Sequence, residues 1–524
     1  MNFIRSKTLF VGSFLAILFG FACTDLNEKL PSEVRAEDFF QNETQILSAL
    51  GEAYVVLAAG GMWGSHNGLW SIHQVSSDET VIPQRGQDWF DGGIWLRMHR
   101  HTFNTEEGAF EGAWAELFRG VNTSNRVMFQ LEQAVADGVV EPALAGEFIA
   151  ELRALRAFYY YWLLDTFGNV PIVDDFVNAP ANPGNNPDFQ TGRTAVFNFV
   201  EQELLDVVNL VTDDVAGSRG RINKFGVHFL LGKLYLNAEV YTGQERYSDA
   251  IFHFNEIVES GEYSLAPNFF DTFSINNANA VEHIFAIPFD EVFLPGFELN
   301  QMTLHYGQQF EFNLQDQPWN GYATLQSFYE SFEEDDVRRD GFLTGTRFRQ
   351  DDGTPIEDPD FEGAPIDDDP ELNLRTSINE LEPNACRECG ARFAKFEIGI
   401  GSLPNMSNDF PVFRYADAVL SLAEAEWREG VGTPEMRVND IRSRYGLDPM
   451  TLNSENLLAE RGRELYLEMW RRQDLIRFEG TQGPTAFNDE WDFKEVSEQF
   501  RTVFPIPRNV RQTNPNLVQN PGYQ

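Results

Sequence analysis

The chain has 524 residues, of which 42% are hydrophobic and 14% aromatic, so it can bury a large core and is not a disordered protein. Its 81 Asp and Glu against 39 Lys and Arg give a formal net charge of −42. Such a surface repels phosphate backbones, which argues against nucleic acid as a partner. Length alone allows two or three domains or one large domain.

The first 23 residues have the pattern of a bacterial lipoprotein signal. Arg5 and Lys7 precede an apolar run over residues 8–22, and Cys23 follows directly. This run has the length of a signal-peptide core and is too short for a membrane-spanning helix, which needs about 20 apolar residues. We therefore predict a signal peptide over residues 1–22 and a lipid on Cys23 that anchors the mature chain to a membrane. The alternative is an ordinary secretory peptide with an incidental cysteine.

The clearest helical pattern lies over residues 146–168. Apolar side chains recur there at steps of three and four residues, and tyrosines 159–161 add aromatic rings on the other face. A helix that is apolar on all faces is buried on all sides, so we assign this segment, tyrosines included, to the core of a multi-helix scaffold. Gly168 is expected to cap its C-terminus, and Pro171 prevents its continuation.

Residues 221–261 are predicted to form two helices joined by a glycine-containing turn. Gly232 lies on the first helix, and Ala250 and Phe254 lie on the second. Small side chains beside large ones are typical of a tetratricopeptide-like hairpin. A single hairpin cannot bury its own apolar face, so several should stack.

Two further segments with a helical period, over residues 410–430 and 454–480, are candidate halves of such hairpins. In the second segment we expect Ser454 to be the N-cap. Glu468 and Arg472 are four residues apart, which would allow them to pair on one face of the helix.

Cys386 and Cys389 are the only cysteines besides Cys23. In an oxidising exterior a C-x-x-C segment can close a small disulfide, and in metal chemistry it supplies half of a zinc site. No second C-x-x-C or close pair of histidines completes four ligands. We therefore favour a local disulfide or free thiols over a metal site or redox catalysis, and we expect no metal and no cofactor.

Segments along nearly the whole chain resemble the SusD/RagB family of outer-membrane lipoproteins, which bind nutrients, mostly glycans, in bacteria of the Bacteroidetes type. In chain order the matching segments are the cysteine followed by TDLNEKLPSE, then SSDET, QDWFDGGIWLRMHRHTF, GAWAELFRGVNTSN, ELRALRAFYYYWLLDTFGNVPIV, RINKFGVHFLLGKLYLNAEVYTG, PWNGYATLQSFYESFEEDDVRR, FRYADAVLSLAEAEWREG, ERGRELYLEMWRRQDLIRF and VFPIPRNVRQTNPNLVQNPGY. No single segment is decisive, whereas their order over the whole length is specific.

The resemblance implies a mainly α protein with a SusD-like fold, in which tetratricopeptide-like helical hairpins form a scaffold and an irregular, loop-rich region binds the ligand. It also implies an outer-membrane location facing the cell exterior, with the lipid anchor at Cys23, and a SusC-like TonB-dependent transporter as partner. We expect a single SusD-like domain over residues 23–524. The scaffold should lie at about 35–60, 105–260 and 410–524, and the loop-rich region at about 61–104 and 265–405.

Aromatic side chains on loops are the candidate ligand-binding groups. A sugar ring has an apolar C–H face surrounded by hydroxyl groups, so its receptor needs flat aromatic rings and a few planar hydrogen-bonding groups. Two loop segments, over residues 60–103 and 293–325, contain both, and in the resembled family an aromatic arc from about these parts of the chain holds the glycan. The predicted ligand-binding residues are Trp63, Trp89 and Trp319 as platforms, Gln87, Asp88 and Asn320 as partners of hydroxyl groups, and the nearby Tyr306 and Tyr322.

The sequence leaves three candidate functions open. The expected one is a non-enzymatic surface lipoprotein that captures oligo- or polysaccharide and delivers it to the transporter. A tetratricopeptide-type adaptor for a protein partner is the second, although it would not need the aromatic loops. A secreted glycoside hydrolase is the third, and it would need two carboxylates about 5 to 10 Å apart across the scissile bond. The sequence contains no G-x-S-x-G, H-E-x-x-H or P-loop fingerprint, so we name no catalytic residue.

Overall fold

A computed structural model describes residues 43–357 and 370–523, so the predicted signal peptide and Cys23 lie outside the described residues. The described chain is mainly helical, which confirms the predicted fold class. Its α-helices are α1 Glu43–Val55, α2 Leu69–Val75, α3 Ile94–His99, α4 Gly108–Ala136, α5 Pro142–Phe167, α6 Phe189–Val207, α7 Lys224–Leu236, α8 Ala238–Thr242, α9 Tyr247–Val258, α10 Leu299–Thr303, α11 Gln308–Phe312, α12 Gln326–Glu330, α13 Tyr415–Glu429, α14 Pro434–Arg444, α15 Ser454–Leu465, α16 Arg471–Arg477 and α17 Arg508–Thr513. None of these helices is both long and apolar enough to cross a membrane.

The strands are short and pair two by two. They are β1 Thr80–Val81, β2 His283–Ile287, β3 Ala323–Thr324, β4 Phe342–Leu343, β5 Gly345–Thr346, β6 Asn373–Leu374, β7 Arg392–Phe393 and β8 Phe410–Arg414. The antiparallel pairs are β1 with β3, β2 with β8, β4 with β7, and β5 with β6. In the first pair Thr80 lies opposite Thr324. This pairing places the loop that follows β1 beside the loop that precedes β3, so the two predicted aromatic segments meet.

Helix α5 is buried along much of its length. It packs against α4 and α6, and every residue over 158–167 is buried, including tyrosines 159–161. The assignment of these tyrosines to the core is therefore confirmed. The helix ends as predicted at Gly168, whose φ of +72° turns the chain and whose amide donates to the carbonyl of Leu163 at 3.2 Å.

Helices α7 and α9 form the predicted hairpin, with the short helix α8 between them. Gly232 of α7 faces the ring of Phe254 on α9, where a Cβ at position 232 would lie 2.7 Å from the nearest ring atom. The glycine thus permits the closest approach of the two helices. Helix α9 also packs against α13, and α13 packs against α14, so the stacking continues beyond the hairpin. The division of residues 23–524 into scaffold and loop-rich region stays a prediction.

Helix α15 begins one residue earlier than predicted, at Ser454 itself. The N-cap is Asn453, whose side-chain oxygen accepts a hydrogen bond from the amide of Asn456 at 2.8 Å. Ser454 is the first helical residue, so its assignment as the N-cap is wrong. Asn and Ser can both cap a helix. The helix starts after Asn453 because the Asn453 side chain accepts from the amide three residues ahead.

The chain leaves the helical conformation between α15 and α16. Leu467 and Met469 have φ values of +66° and +70°, which is uncommon for residues other than glycine. Glu468 and Arg472 therefore do not share a helix, and their predicted pairing is wrong. Glu468 instead accepts a hydrogen bond from Arg414 at 2.7 Å.

Arg414, the last residue of β8, lies at the centre of a buried group of ion pairs. Besides Glu468, it contacts Glu464 of α15 at 2.9 Å and Glu282, next to β2, at 3.1 Å. Lys395 also binds Glu468, and all five side chains are buried. These ion pairs connect the interruption between α15 and α16 to the β2–β8 pair.

Candidate functional site

Trp89 and Trp319 lie side by side at the protein surface. Trp319 is 37% exposed and Trp89 is half-buried. Their ring centroids are 6.4 Å apart, and the ring planes are inclined by 51°. The indole N–H of Trp89 donates to the backbone carbonyl of Trp319 at 2.7 Å. This hydrogen bond fixes the distance between the two residues, whose rings together form what we call the Trp89–Trp319 surface.

A tight turn precedes Trp89. Arg85 and Asp88 exchange two backbone hydrogen bonds, of 3.0 and 3.1 Å, so Gly86 and Gln87 form the two-residue loop of the turn. Gly86 has a φ of +69°, which glycine adopts without strain. Trp89 itself has a φ of +59°, an unfavourable conformation for an aromatic residue. Its surroundings must therefore stabilise this conformation.

Three groups pack against the indole of Trp89. Gly321 lies so close that a Cβ at this position would overlap the ring. Tyr322 and His66 meet the indole edge-on, with centroid distances of 5.6 and 5.0 Å. The hydroxyl of Tyr322 is itself hydrogen-bonded to Ser71 at 2.7 Å and is buried. Trp89 is thus positioned by residues from both aromatic segments.

Backbone hydrogen bonds to α10 and the residues after it hold Trp319. The amide of Trp319 donates to the backbone carbonyl of Gln301 at 2.7 Å, and the amide of Asn320 donates to that of Leu304 at 2.9 Å. Asn320 has a φ of +54°, and Arg392 donates to its side-chain oxygen at 2.7 Å. The main chain on the C-terminal side of Trp319 is therefore fixed by buried polar contacts.

Polar groups lie next to the two tryptophans. Gln87 and Asp88 are exposed, and the hydroxyl of Tyr306 donates to the carboxylate of Asp88. Burial, and after it the neighbouring Asp88 carboxylate, raise the pKa of Tyr306, so this hydroxyl stays protonated at neutral pH. The guanidinium of Arg387 lies 5.6 Å from the centroid of the Tyr306 ring. The surface therefore offers hydrogen-bond donors and acceptors beside flat rings.

The structure brings five of the predicted ligand-binding residues together. They are Gln87, Asp88, Trp89, Tyr306 and Trp319. That they contact a ligand stays a prediction.

The other three predicted contacts are wrong, because their side chains are buried. Trp63 is fully buried in the core, where its ring meets that of Trp162 at 5.3 Å. Asn320 is also fully buried, and its side chain bonds within the protein as described above. Tyr322 is buried under Trp89 and supports it from within. None of the three can stack on a ligand or donate to one.

Sequence reasoning missed several residues of this region. Phe90 and Phe310 are each 49% exposed, and the guanidinium of Arg349 lies 4.6 Å from the centroid of the Phe310 ring. Phe90 directly follows Trp89 in the same polar loop, so the criterion that selected Trp89 also applied to it. Arg85, by contrast, is buried, and nothing in its local sequence distinguishes it from an exposed arginine.

Cys386 and Cys389 form a disulfide, with Cα atoms 5.3 Å apart. This is one of the two states that the sequence favoured. Over residues 43–357 and 370–523, no group of three or more His, Cys, Asp or Glu side chains is arranged to hold a metal ion.

These features describe a mainly helical protein with an aromatic surface on its loops, and comparisons with known proteins specify the class further. The family model described as the SusD family matches residues 399–523. The starch-binding protein SusD of Bacteroides thetaiotaomicron is 26% identical over 422 residues, which cover 72% of each chain. The SusD-like protein P2 of Formosa agariphila is 22% identical over 96% of this chain and 97% of its own.

A solved structure has the same fold. The surface glycan-binding protein A of Bacteroides thetaiotaomicron, in complex with laminarihexaose, aligns with a TM-score of 0.72 at 21% identity, covering 91% of this chain and 99% of its own. Together with the family model and the relatives, this similarity shows that the chain has a SusD-like fold and resembles SusD-like proteins over most of its length.

Proposed function

We propose that this protein binds oligo- or polysaccharide at the Trp89–Trp319 surface, without cleaving it. One observation carries the proposal. The exposed indole of Trp319 lies 6.4 Å from that of Trp89, and the N–H of Trp89 donates to the backbone carbonyl of Trp319. Two such rings can stack on the apolar faces of neighbouring sugar units. The carboxylate of Asp88 can accept hydrogen bonds from sugar hydroxyl groups, and the amide of Gln87 can donate to them. The names of the relatives, a starch-binding protein and a glycan-binding protein, support the same class of ligand.

The inclination of the two rings favours a bent glycan chain. Two sugar rings that stack on indoles inclined by 51° are themselves inclined to each other. A helical or curved polysaccharide can satisfy this arrangement, whereas a flat ribbon would contact only one of the rings fully. Each stacking contact contributes about 1 kcal/mol beyond buried area, so after the costs of association we expect dissociation constants in the micromolar to millimolar range.

We further propose that the protein is anchored in the outer membrane through Cys23 and delivers the captured glycan to a SusC-like TonB-dependent transporter. The similarity to SusD supports this proposal. Weak capture suits delivery, because the ligand must leave the surface again. Gently solubilised outer membranes should yield this chain together with the transporter, and its recovery alone would contradict the partnership.

Electrophoresis through polysaccharide-containing gels tests the binding function. Protein lacking residues 1–23 is run against neutral and anionic polysaccharides, both helical and flat, and each mixture is assayed for new reducing ends. We expect retarded migration with at least one helical polysaccharide and no new reducing ends. New reducing ends would indicate a hydrolase, and migration unaffected by any polysaccharide would leave the adaptor function.

Replacing Gly321 by alanine is expected to weaken glycan binding while the scaffold stays folded. The added methyl group overlaps the indole of Trp89, so the ring must leave its present position beside Trp319. We expect affinity to fall by about three- to tenfold, measured in the same gels. Gly146→Ala is the matched control, because a Cβ there meets nothing within 4 Å and lies in α5. Equal affinity of both variants would show that the position of Trp89 does not matter.

A further inference from the structure

We infer that the loop closed by the Cys386–Cys389 disulfide is a positioning element for the Trp89–Trp319 surface, and that opening the disulfide lowers glycan affinity without unfolding the scaffold. The part of this inference that concerns affinity rests on the proposed function. The connection between the loop and the two tryptophans runs through the backbone carbonyls of the loop and two buried arginines.

The loop itself is a tight turn. Cys386 and Cys389 are both buried, and the amide of Cys389 donates to the carbonyl of Cys386 at 3.3 Å. The amide of Cys386 donates to the side chain of Asn379 at 2.9 Å. The disulfide and these hydrogen bonds fix the directions in which the loop carbonyls point.

Arg85 joins this loop to the residues that follow Trp319. Its guanidinium donates to the carbonyls of Cys386 at 3.2 Å and Cys389 at 3.1 Å. The same group donates to the carbonyls of Asn320 at 2.7 Å and Gly321 at 3.0 Å. One buried cation therefore holds two segments that are more than 60 residues apart in the sequence.

Arg392 makes a second connection between the same two segments. It donates to the carbonyl of Cys389 at 2.9 Å and to that of Arg387 at 2.7 Å. It also binds the side-chain oxygen of Asn320 at 2.7 Å, and the Asn320 amide group donates back to the carbonyl of Arg387 at 2.9 Å. The unusual φ of Asn320 is thus stabilised by contacts with the disulfide loop.

These contacts reach both rings of the surface. Asn320 is bonded covalently to Trp319, and Gly321 supports the indole of Trp89. Arg85, in addition, belongs to the turn that presents Trp89. A change in the loop carbonyls would therefore shift both tryptophans together.

The expected effect is local. A disulfide that closes so short a loop constrains the unfolded chain less than one that closes a long loop, so its removal should leave global stability nearly unchanged. Two buried guanidinium groups, however, require acceptors in fixed places, and a loop without the disulfide presents its carbonyls less precisely. The backbone hydrogen bonds of the segments that these two guanidinium groups hold should then open more often.

Hydrogen–deuterium exchange of the full chain, read by mass spectrometry without any glycan, tests the inference. The Cys386→Ser/Cys389→Ser double variant should exchange about fivefold faster than the wild type over residues 316–322 and 85–90, and α5 should be unchanged. The amides of residues 319–322 report directly, because each donates to a backbone carbonyl. In polysaccharide gels the same variant should bind about three- to tenfold more weakly.

Two arginine variants complete the test. Arg85→Lys keeps the charge but cannot reach four carbonyls, so it should reproduce the exchange pattern of the double variant. Arg472→Lys is the control. Arg472 is as buried as Arg85, and burial lowers the pKa of each guanidinium group to about 10. Arg472 donates to the carbonyl of Thr502 at 2.8 Å and not to the disulfide loop. It should leave exchange over residues 316–322 unchanged.

The outcomes separate the inference from the proposed function. Unchanged exchange over residues 316–322 in the double variant overturns the inference. Faster exchange throughout the chain, α5 included, also overturns it, because the disulfide would then stabilise the whole fold rather than position the surface. If the wild type binds no polysaccharide, the proposed function fails, and exchange over residues 316–322 alone decides whether the loop positions the tryptophans.

Discussion

Replacing Trp319 by alanine is expected to lower the affinity for polysaccharide by about tenfold or more, which corresponds to about 1.4 kcal/mol. Trp319 is the more exposed indole of the pair, so its ring can offer a stacking face to a sugar. The alanine variant keeps the backbone carbonyl that accepts from Trp89, so the second ring keeps its partner. The loss of affinity should therefore come from the missing ring itself.

Isothermal titration with the polysaccharide that retards the wild type most measures this effect. Phe252→Ala is the control, because Phe252 is an exposed aromatic residue on the scaffold helix α9. It should bind as the wild type does. Unchanged affinity of the Trp319 variant, or an equal loss in the Phe252 variant, would remove Trp319 from the proposed site.

Replacing Arg414 by alanine is expected to destabilise the protein by about 3 to 5 kcal/mol. The substitution leaves Glu464, Glu468 and Glu282 buried without their shared cation. Burial alone raises the pKa of Glu464, but the guanidinium groups of Arg414 and Arg338 outweigh it and hold this pKa below its ordinary value. Removal of Arg414 therefore leaves charged groups in an environment that disfavours charge.

Denaturant unfolding at neutral pH measures the change in the free energy of unfolding. Arg508→Ala is the control, because Arg508 and its partner Glu106 are both exposed, and such pairs contribute less than about 1 kcal/mol. The stabilisation linked to Glu464 is present above the ordinary glutamate pKa and is lost as the pH falls through its lower folded-state pKa. The difference between wild type and the Arg414 variant should therefore narrow on acidification, and a constant difference would contradict this account.

Much of the scaffold could be predicted from local sequence. The apolar period over residues 146–168 indicated a buried helix and its glycine cap, and the small residue at position 232 indicated a close helix pair. Both features depend on residues that are close in the sequence, within one helix or one helical hairpin. The interruption after α15 could not be predicted in this way, because Glu468 leaves the helical pattern to bind Arg414, 54 residues away.

The site was predicted less well, for a related reason. Trp63, Asn320 and Tyr322 share the composition of their loops with Trp89 and Trp319, yet they are buried. Which side chains point outward depends on the pairing of β1 with β3, over more than 200 residues of sequence. No local pattern carries that information.

The hydrogen bond from Trp89 has a consequence for how this protein can diversify. Its acceptor is the main chain of position 319, which every amino acid possesses. The side chain at 319 can therefore be exchanged during evolution without releasing the neighbouring indole. New nutrient preferences could arise at this one position while the rest of the platform is inherited intact.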